Sequence, residues 1–483
     1  MATKASGTRD LTQGPIGSTL LFFAIPTFFS NILQSLNGSI NAIWVGRFLG
    51  AQALAATANA NMIMFLMFSL VFGFGMASSV VIAQSHGARD IDAGRRAFGS
   101  AIGFCAIMGV VVATAGWIGA PALLRVLATP VEVFDLALVY LRVIFLAMPA
   151  TLVSVTVMMG LRGVGDSRTP LIFMIVSVVI DLTLNPLLII GVGPFPAFGI
   201  AGSAAATAVA GVVSLAGVVI YIYAKDLSLR LRGPELSYLL PSAAQLRMLL
   251  VKGLPMGLQM IVMALSGIVM IGLVNREGLA ATAAYGAVQQ IWTYIQMPPM
   301  AIGAAVSAMA AQNIGAGKWE RINSITVAGI LYQGVIITAM IAVTLLLHEQ
   351  LLSLFLSTDK AAISTGWRIQ LLGSWSYLMF GGSMILFGVM RGNGVVIAPL
   401  VIVSFSLFIV RLGFYHFGYP IWGADALWLS FPSSSFSSLL LGTLLYLEGS
   451  WRKVRLLMPV NEEECREAVN ADTEPAGRIA PTG

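Results

Sequence analysis

Charge is what this sequence lacks most. Of its 483 residues only 10% are Asp, Glu, Lys or Arg, against about 25% in an ordinary soluble domain. A chain with so few charges has no means of covering a water-facing globular surface, and a soluble fold is excluded. Cysteine is nearly absent: the two present, Cys105 and Cys465, give no disulfide framework. The three histidines, His86, His348 and His416, are scattered near the ends of apolar stretches and form no metal-ligand cluster. No HExxH motif and no paired catalytic acids appear within the spans, so no intramembrane hydrolase is indicated. The glycines of RGVGDSRTP belong to a turn in which Gly163 and Gly165 permit tight backbone geometry. No GxxxxGK[ST] phosphate loop is present. The opening MATKASGTRDLTQGP is polar, and the apolar run after it is too long and lacks a small-residue cleavage signature. The expectation is that no signal peptide is removed and that the first span inserts the chain.

What is present is hydrophobic residue, 58% of the chain. A membrane span needs about 20 mostly apolar residues, and twelve such segments can be laid down, at roughly 16–45, 53–83, 96–120, 132–160, 169–191, 200–224, 247–274, 281–311, 323–348, 362–390, 396–417 and 424–448. The fold class expected is an all-α polytopic membrane protein, with the lipid bilayer as its principal partner. Lys and Arg gather between spans on one side, among them Lys4, Arg9, Arg95, Arg96, Arg162, Arg168, Arg230, Arg232, Lys318, Arg391 and Arg455. By the positive-inside rule both termini are expected in the cytoplasm, with the protein in the plasma membrane, a bacterial inner membrane. The net charge of +6 is then topology and calls for no nucleic-acid partner. The tail from Asn461 is polar, acidic at its start and reads as disordered.

Laid over itself, the sequence matches at a nearly constant offset. LLFFAIPTFFSNIL around Pro26 meets LLVKGLPMGLQMIV around Pro255, and LGAQALAATANA meets EGLAATAAYGA. AQSHGA at Gln84 meets AQNIGA at Gln312, LRGVGDSRTPL at Arg162 meets MRGNGVVIAPL at Arg391, and GIAGSAAA at Gly202 meets PIWGADAL at Gly423. Each half holds six spans, so the halves enter the membrane in the same direction and are related by an axis along the membrane normal. The expected organisation is a short N-terminal segment (1–15), an N-lobe (16–224), an inter-lobe loop (225–246), a C-lobe (247–448) and a tail (449–483). Two such lobes around a shared cavity are a transporter's geometry. A monomer is expected.

One acid, Asp181, lies near the middle of an otherwise apolar span. Asp181 lies in LIFMIVSVVIDLTLNPLLII with Asn185 one turn on and Pro186 beside it. A charged Asp at mid-membrane costs about 2.5 to 3.5 kcal/mol on insertion scales, so it marks a functional candidate. The other reading is an acid kept neutral by a hydrogen bond to a neighbouring helix. Gln34, Asn37 and Asn41 fall one turn apart and draw a polar stripe along the first helix, as cavity lining or as interhelical packing. Pro26 sits mid-span, where it removes a backbone hydrogen bond and kinks the helix. Tyr285, Gln289, Trp292, Gln296, Tyr377 and Met379 are candidates for a polarizable substrate cavity, with ordinary helix packing as the alternative. Arg411 and Asp425 lie toward the ends of neighbouring helices, where an ion pair is expected; alternatively Arg411 offers a cation to an anionic substrate.

Pro26, WVGRFLGAQALAA, the QxxGA elements at Gln84 and Gln312, LRGVGDSRTP, the Asp181 to Pro186 segment and GIAG together resemble the multidrug and toxic compound extrusion family of secondary antiporters, over about 15–448. The resemblance implies a non-enzymatic exporter of bulky cationic or amphipathic organic compounds that exchanges them for protons or sodium ions by alternating access. It needs no cofactor beyond that ion. It implies that Pro26 is a hinge and that Thr207 completes the shell around Asp181 and Asn41. The chain departs from the family at Asn41, where many relatives carry an aspartate, and at Asp181 and Asn185, where the usual order is Asn then Asp. In the second half Met263, Ala264, Val395 and Val410 occupy the matching positions, so no cation site is expected there. With a single carboxylate, protons are favoured over sodium, which needs several oxygen ligands. The rival that the resemblance admits is a lipid or lipid-linked oligosaccharide flippase of the wider superfamily.

Overall fold

The computed structural model describes residues 10–127, 129–191, 196–356 and 360–454. Lys4, Arg9, Arg455, Cys465 and the rest of the tail lie outside the described residues. Every regular element among those described is helical. The first helix, α1 (Ile16–Gly87), carries the first two spans in one tract, turned at Gly50 (φ 83°, ψ −177°). That conformation belongs almost only to glycine. Gly278, its repeat counterpart, has φ 98° and ψ 174°, so the two lobes turn their chains with the same backbone device.

The N-lobe continues through α2 (Ile91–Val126), α3 (Val131–Gly163), α4 (Arg168–Ile190) and α5 (Ile200–Ala224). The C-lobe begins with α6 (Ala243–Val274), followed by α7 (Leu279–Ile295) and α8 (Met297–Gly315), which abut at Gln296 and make one crossing. It continues with α9 (Glu320–Leu346), the short α10 (His348–Leu356), and α11 (Lys360–Gly373) with α12 (Ser376–Gly392) as the next crossing. Then come α13 (Ile397–Ser404), a π-helical turn at Phe405–Val410, α14 (Arg411–Trp422) and α15 (Asp425–Glu448). Nine tracts among the described residues are long and apolar enough to cross a membrane on their own. The full set of twelve is reached because α1 crosses twice, because α7 and α8 cross together, and because α15 crosses despite its serines. The protein is an all-helical, multi-pass membrane protein of two six-helix lobes.

The lobes do not divide cleanly at the inter-lobe loop. Leu11, Leu20, Phe23 and Ala24, from the start of the chain and the first half of the first span, are buried in one apolar cluster with Ile302, Val306, Met309 and Phe387 of the C-lobe. The first span thus begins packed against one lobe and ends inside the other. The loop after α5 is no free tether either: Arg95 of α2 holds Glu235 at 2.7 Å, and the Tyr238 hydroxyl donates to Asp92 at 2.8 Å. One anchor of the duplication shifts in register. Gly199 (φ 57°, ψ −130°) before α5 and Gly423 (φ 57°, ψ −137°) before α15 are the backbone counterparts, so Gly423 matches Gly199 rather than Gly202.

Candidate functional site

Three helices of the N-lobe converge on Asp181. The i, i+4 spacing that places Asn37 and Asn41 on one face of α1 and Asp181 and Asn185 on one face of α4 turns these faces toward each other. Asp181 Oδ2 accepts from Asn37 Nδ2 and from Asn41 Nδ2, both at 2.8 Å. Thr207 of α5 donates to the same carboxylate at 3.2 Å to Oδ1, while Asn185 Nδ2 donates to Asn41 Oδ1 at 2.8 Å. Asp181 is 1% exposed and Asn185 fully buried. The carboxylate therefore faces neither lipid nor a basic neighbour. Two buried oxygens in this group, Asn37 Oδ1 and Asn185 Oδ1, have no donor among the described residues. Helix α4 runs unbroken through Pro186.

On the other side of Asn37, Asn41 and Thr207 lies a cavity of about 300 Å³, which Gln34 also lines. Asp181 stands behind that wall, reached through its own hydrogen-bond donors. Thr57 and Asn61 of the second span, Tyr140 and Thr151 of α3 and Ser203 of α5 also line it. None of these five is among the site residues expected from the sequence. The readable signal lay in ATANANMIMF, where Asn59 and Asn61 put two amides into an apolar stretch, of which Asn61 lines the cavity.

A second cavity, of about 170 Å³, lies between the lobes, with Phe23, Thr27 and Asn31 of the first span on one wall and Met256, Met260 and Met300 on the other. Its charged lining is Arg162 and Arg391, the repeat-related arginines before Gly163 and Gly392. Pro26 is buried in the first span between Phe23 and Thr27, where the segment packed on the C-lobe gives way to the segment holding Asp181. The helix is continuous there.

A third cavity, of about 180 Å³, sits within the C-lobe and is lined by Tyr285, Gln289, Gln296 and Tyr377, as the aromatic and amide residues suggested. Trp292 is 1% exposed and lies behind its wall, donating from Nε1 to Ser374 at 3.2 Å and packed on Tyr377 and Phe431. Met379 does not line it; Met263 and Met384 do.

The expected ion pair between Arg411 and Asp425 does not form. Asp425 pairs with Arg368 of α11 at the molecular surface. Arg411 turns inward instead, donating from Nε to Ser434 Oγ at 3.0 Å and from Nη1 to Ser266 Oγ at 3.1 Å, with its guanidinium 4.7 Å from the centre of the Phe431 ring. The reason is axial level. At 1.5 Å per residue, Ser434 lies about 13.5 Å along α15 from Asp425, and Arg411 at the start of α14 meets the helix at the level of Ser434.

The MatE family profile matches residues 26–187 and 255–415, one copy in each lobe. A probable multidrug resistance protein of Bacillus subtilis, YoeA, is 34% identical over 451 residues, covering 93% of this chain and 97% of its own. A second from that organism, YpnP, is 29% identical over 448 residues, 92% and 98% of the two chains. Among solved structures, a transporter of the MOP superfamily from Pyrococcus furiosus superimposes with a TM-score of 0.84 at 20% identity, over 94% of this chain and all of the other, which speaks for the fold alone. The repeated profile, the near full-length relatives and the two-lobe architecture establish that the chain belongs to the multidrug and toxic compound extrusion (MatE) family and is a transporter, not an enzyme.

Proposed function

We propose that this protein is a secondary active antiporter that exports bulky cationic or amphipathic compounds in exchange for protons bound at Asp181; the names of its Bacillus relatives, probable multidrug resistance proteins, support a role in multidrug efflux. The basic face is cytoplasmic, and the cavity between the lobes opens alternately to either side of the membrane. One observation carries the reading: the first span touches Asp181 through Asn37 and Asn41 and is buried against the C-lobe through Leu20, Phe23 and Ala24. A change at the acid therefore acts on a helix that both lobes grip, with Pro26 as the hinge between the two segments.

The chemistry of that change follows from the donors. An ionised carboxylate only accepts hydrogen bonds, whereas a protonated one must also donate. A proton on Oδ2 turns the contact with Asn37 or Asn41 from favourable to repulsive. Rotation of the Asn37 amide then presents Oδ1, now without a donor, as the acceptor. Sodium is the second reading, supported by the same unpaired oxygens, since Asn37 Oδ1 and Asn185 Oδ1 beside a carboxylate are the ligand type that a hard cation takes.

In proteoliposomes with an imposed proton or sodium gradient, concentrative efflux of an amphipathic dye is expected to follow the proton gradient and to vanish in Asp181→Asn. Coupled efflux at the normal rate in that variant removes Asp181 from the mechanism.

A further inference from the structure

The C-lobe holds a site related to the Asp181 site by the duplication, with the charge inverted. At the offset that carries Pro26 to Pro255 and Arg162 to Arg391, Asn37 falls on Ser266 and Asp181 on Val410, whose neighbour is Arg411. By the Gly199 to Gly423 register, Thr207 falls on Phe431. In the N-lobe these positions surround a carboxylate with an amide and a hydroxyl. In the C-lobe, Ser266 and Phe431 surround a guanidinium. The helix is wound as a π-turn just before it, at Phe405–Val410, a distortion found often at functional sites.

Arg411 is 9% exposed, and no carboxylate pairs with it among the described residues. Its hydrogen bonds use Nε and Nη1, and among the described residues Nη2 has no acceptor. A buried intramembrane charge is ordinarily paired or turned to a water-filled cavity. Here the arginine lines the C-lobe cavity with Tyr285, Tyr377 and Ser435, which offer hydroxyls beside aromatic faces. Met263, Phe380 and Met384 line both this cavity and the one between the lobes, so the two adjoin. The charges on the inter-lobe cavity are again guanidiniums, Arg162 and Arg391, each with a buried Nε lacking a partner among the described residues.

We propose that the C-lobe cavity is an oxyanion site, in which Arg411 with the serine and tyrosine hydroxyls around it binds the carboxylate or phosphate group of an amphipathic organic solute. Its apolar body lies against Phe431, Phe380 and the methionines of the inter-lobe cavity. Among the amphipathic cargo the site then selects compounds that carry an acid group, zwitterionic or anionic, and a purely cationic compound gains nothing from it. The proposal deepens the efflux reading and rests on it in treating the occupant as cargo.

The test is equilibrium binding of rhodamine B, which carries a free carboxylate, and of its ethyl ester, to the full-length protein purified in non-ionic detergent. Fluorescence anisotropy reads the affinity. The acid is expected to bind at least about 30-fold more tightly than the ester. Arg411→Met should erase that preference by weakening the acid alone, and Arg411→Lys should keep part of it. Equal affinity of the wild type for acid and ester overturns the proposal, and needs no variant to fold. Equal loss of both dyes in Arg411→Met overturns it too, and assigns Arg411 to packing. Phosphatidylglycerol added to the micelles distinguishes the source of the oxyanion. Displacement of rhodamine B by this lipid at low mole fraction makes the occupant a lipid headgroup and overturns the solute assignment. Acid-selective binding without dye flux in proteoliposomes would sink the efflux reading while the oxyanion site stands.

Discussion

Gln84 and Gln312 make the same hydrogen bond in opposite directions. Gln84 of the N-lobe donates from Nε2 to the Gly392 carbonyl at 2.7 Å, and Gln312 of the C-lobe donates from Nε2 to the Gly163 carbonyl at 2.9 Å. Both glutamines are buried, and both acceptors follow the repeat-related Arg391 and Arg162. Backbones approach so closely here that a Cβ on Gly87 would lie 1.9 Å from the Gln312 carbonyl oxygen and one on Gly315 would lie 2.0 Å from that of Gln84. The clasp closes the basic face in this conformation.

Breaking either half of the clasp should therefore open that face. Gln84→Ala and Gln312→Ala each strand a buried carbonyl, at a cost of about 1–3 kcal/mol, which is enough to shift a balanced two-state equilibrium by roughly tenfold. Spin labels on the exposed Ala88 and on Glu320, in a background freed of Cys105 and Cys465, should report a longer cross-lobe distance in a larger fraction of molecules. Gly87→Ala should have the larger effect. An unchanged distance distribution in all three variants would show that the clasp is a consequence of closure and not a cause.

The order of contacts at Asp181 predicts an order of defects. Asn41 touches the carboxylate and Asn185 reaches it only by holding Asn41. Under a fixed proton gradient, Asn41→Ala should slow efflux about tenfold, in line with loss of a hydrogen bond to a charged group worth about 1.5–3 kcal/mol. Asn185→Ala should slow it less, and the double variant should match Asn41→Ala alone. Additive defects would mean that Asn185 acts on the carboxylate by a path of its own.

The sequence made the spans and the acid readable for one physical reason: an apolar run of fixed length and a charge within it are both costly to misplace in lipid. Asp181, Asn41, Asn185 and Thr207 meet as their spacing and family positions implied, and Asn37 joins them as a direct partner. The partner of Arg411 was not readable. Asp425, Ser434 and Ser266 could all receive an arginine, and choosing among them requires the axial level at which α14 meets α15 and α6. That is a tertiary quantity with no local signature. The docking of the inter-lobe loop on α2 was hidden likewise, because a charged stretch between spans reads the same whether it is tethered or free.

The corrected pairing has its own test. Asp425 and Arg368 meet at the surface, with Arg368 66% exposed, where an ion pair is worth about 0–1 kcal/mol. Asp425→Asn should leave the melting temperature of the detergent-solubilised protein nearly unchanged and should not alter the affinity for rhodamine B. A large change in that affinity would reinstate a link between Asp425 and Arg411.

The inter-lobe loop should behave as part of the N-lobe in proteolysis. Lys225, Arg230 and Arg232 offer trypsin three cleavage sites in a segment joining two membrane-embedded bodies, and Arg232 is exposed. The segment is nonetheless pinned by Arg95 to Glu235 at 2.7 Å, by Arg95 Nε to the Ser228 carbonyl at 2.9 Å and by Tyr238 to Asp92 at 2.8 Å. Cleavage requires local opening, whose free energy is set by such contacts. Arg95→Ala combined with Tyr238→Phe removes all three, at about 1 kcal/mol or more for each hydrogen bond, and should speed nicking after Arg232 by at least about tenfold. The comparison is made by gel on protein in detergent, with the clasp at Gln84 and Gln312 left intact. A free tether would be cut at the same rate in both proteins, and equal rates would return the loop to the role of a passive linker.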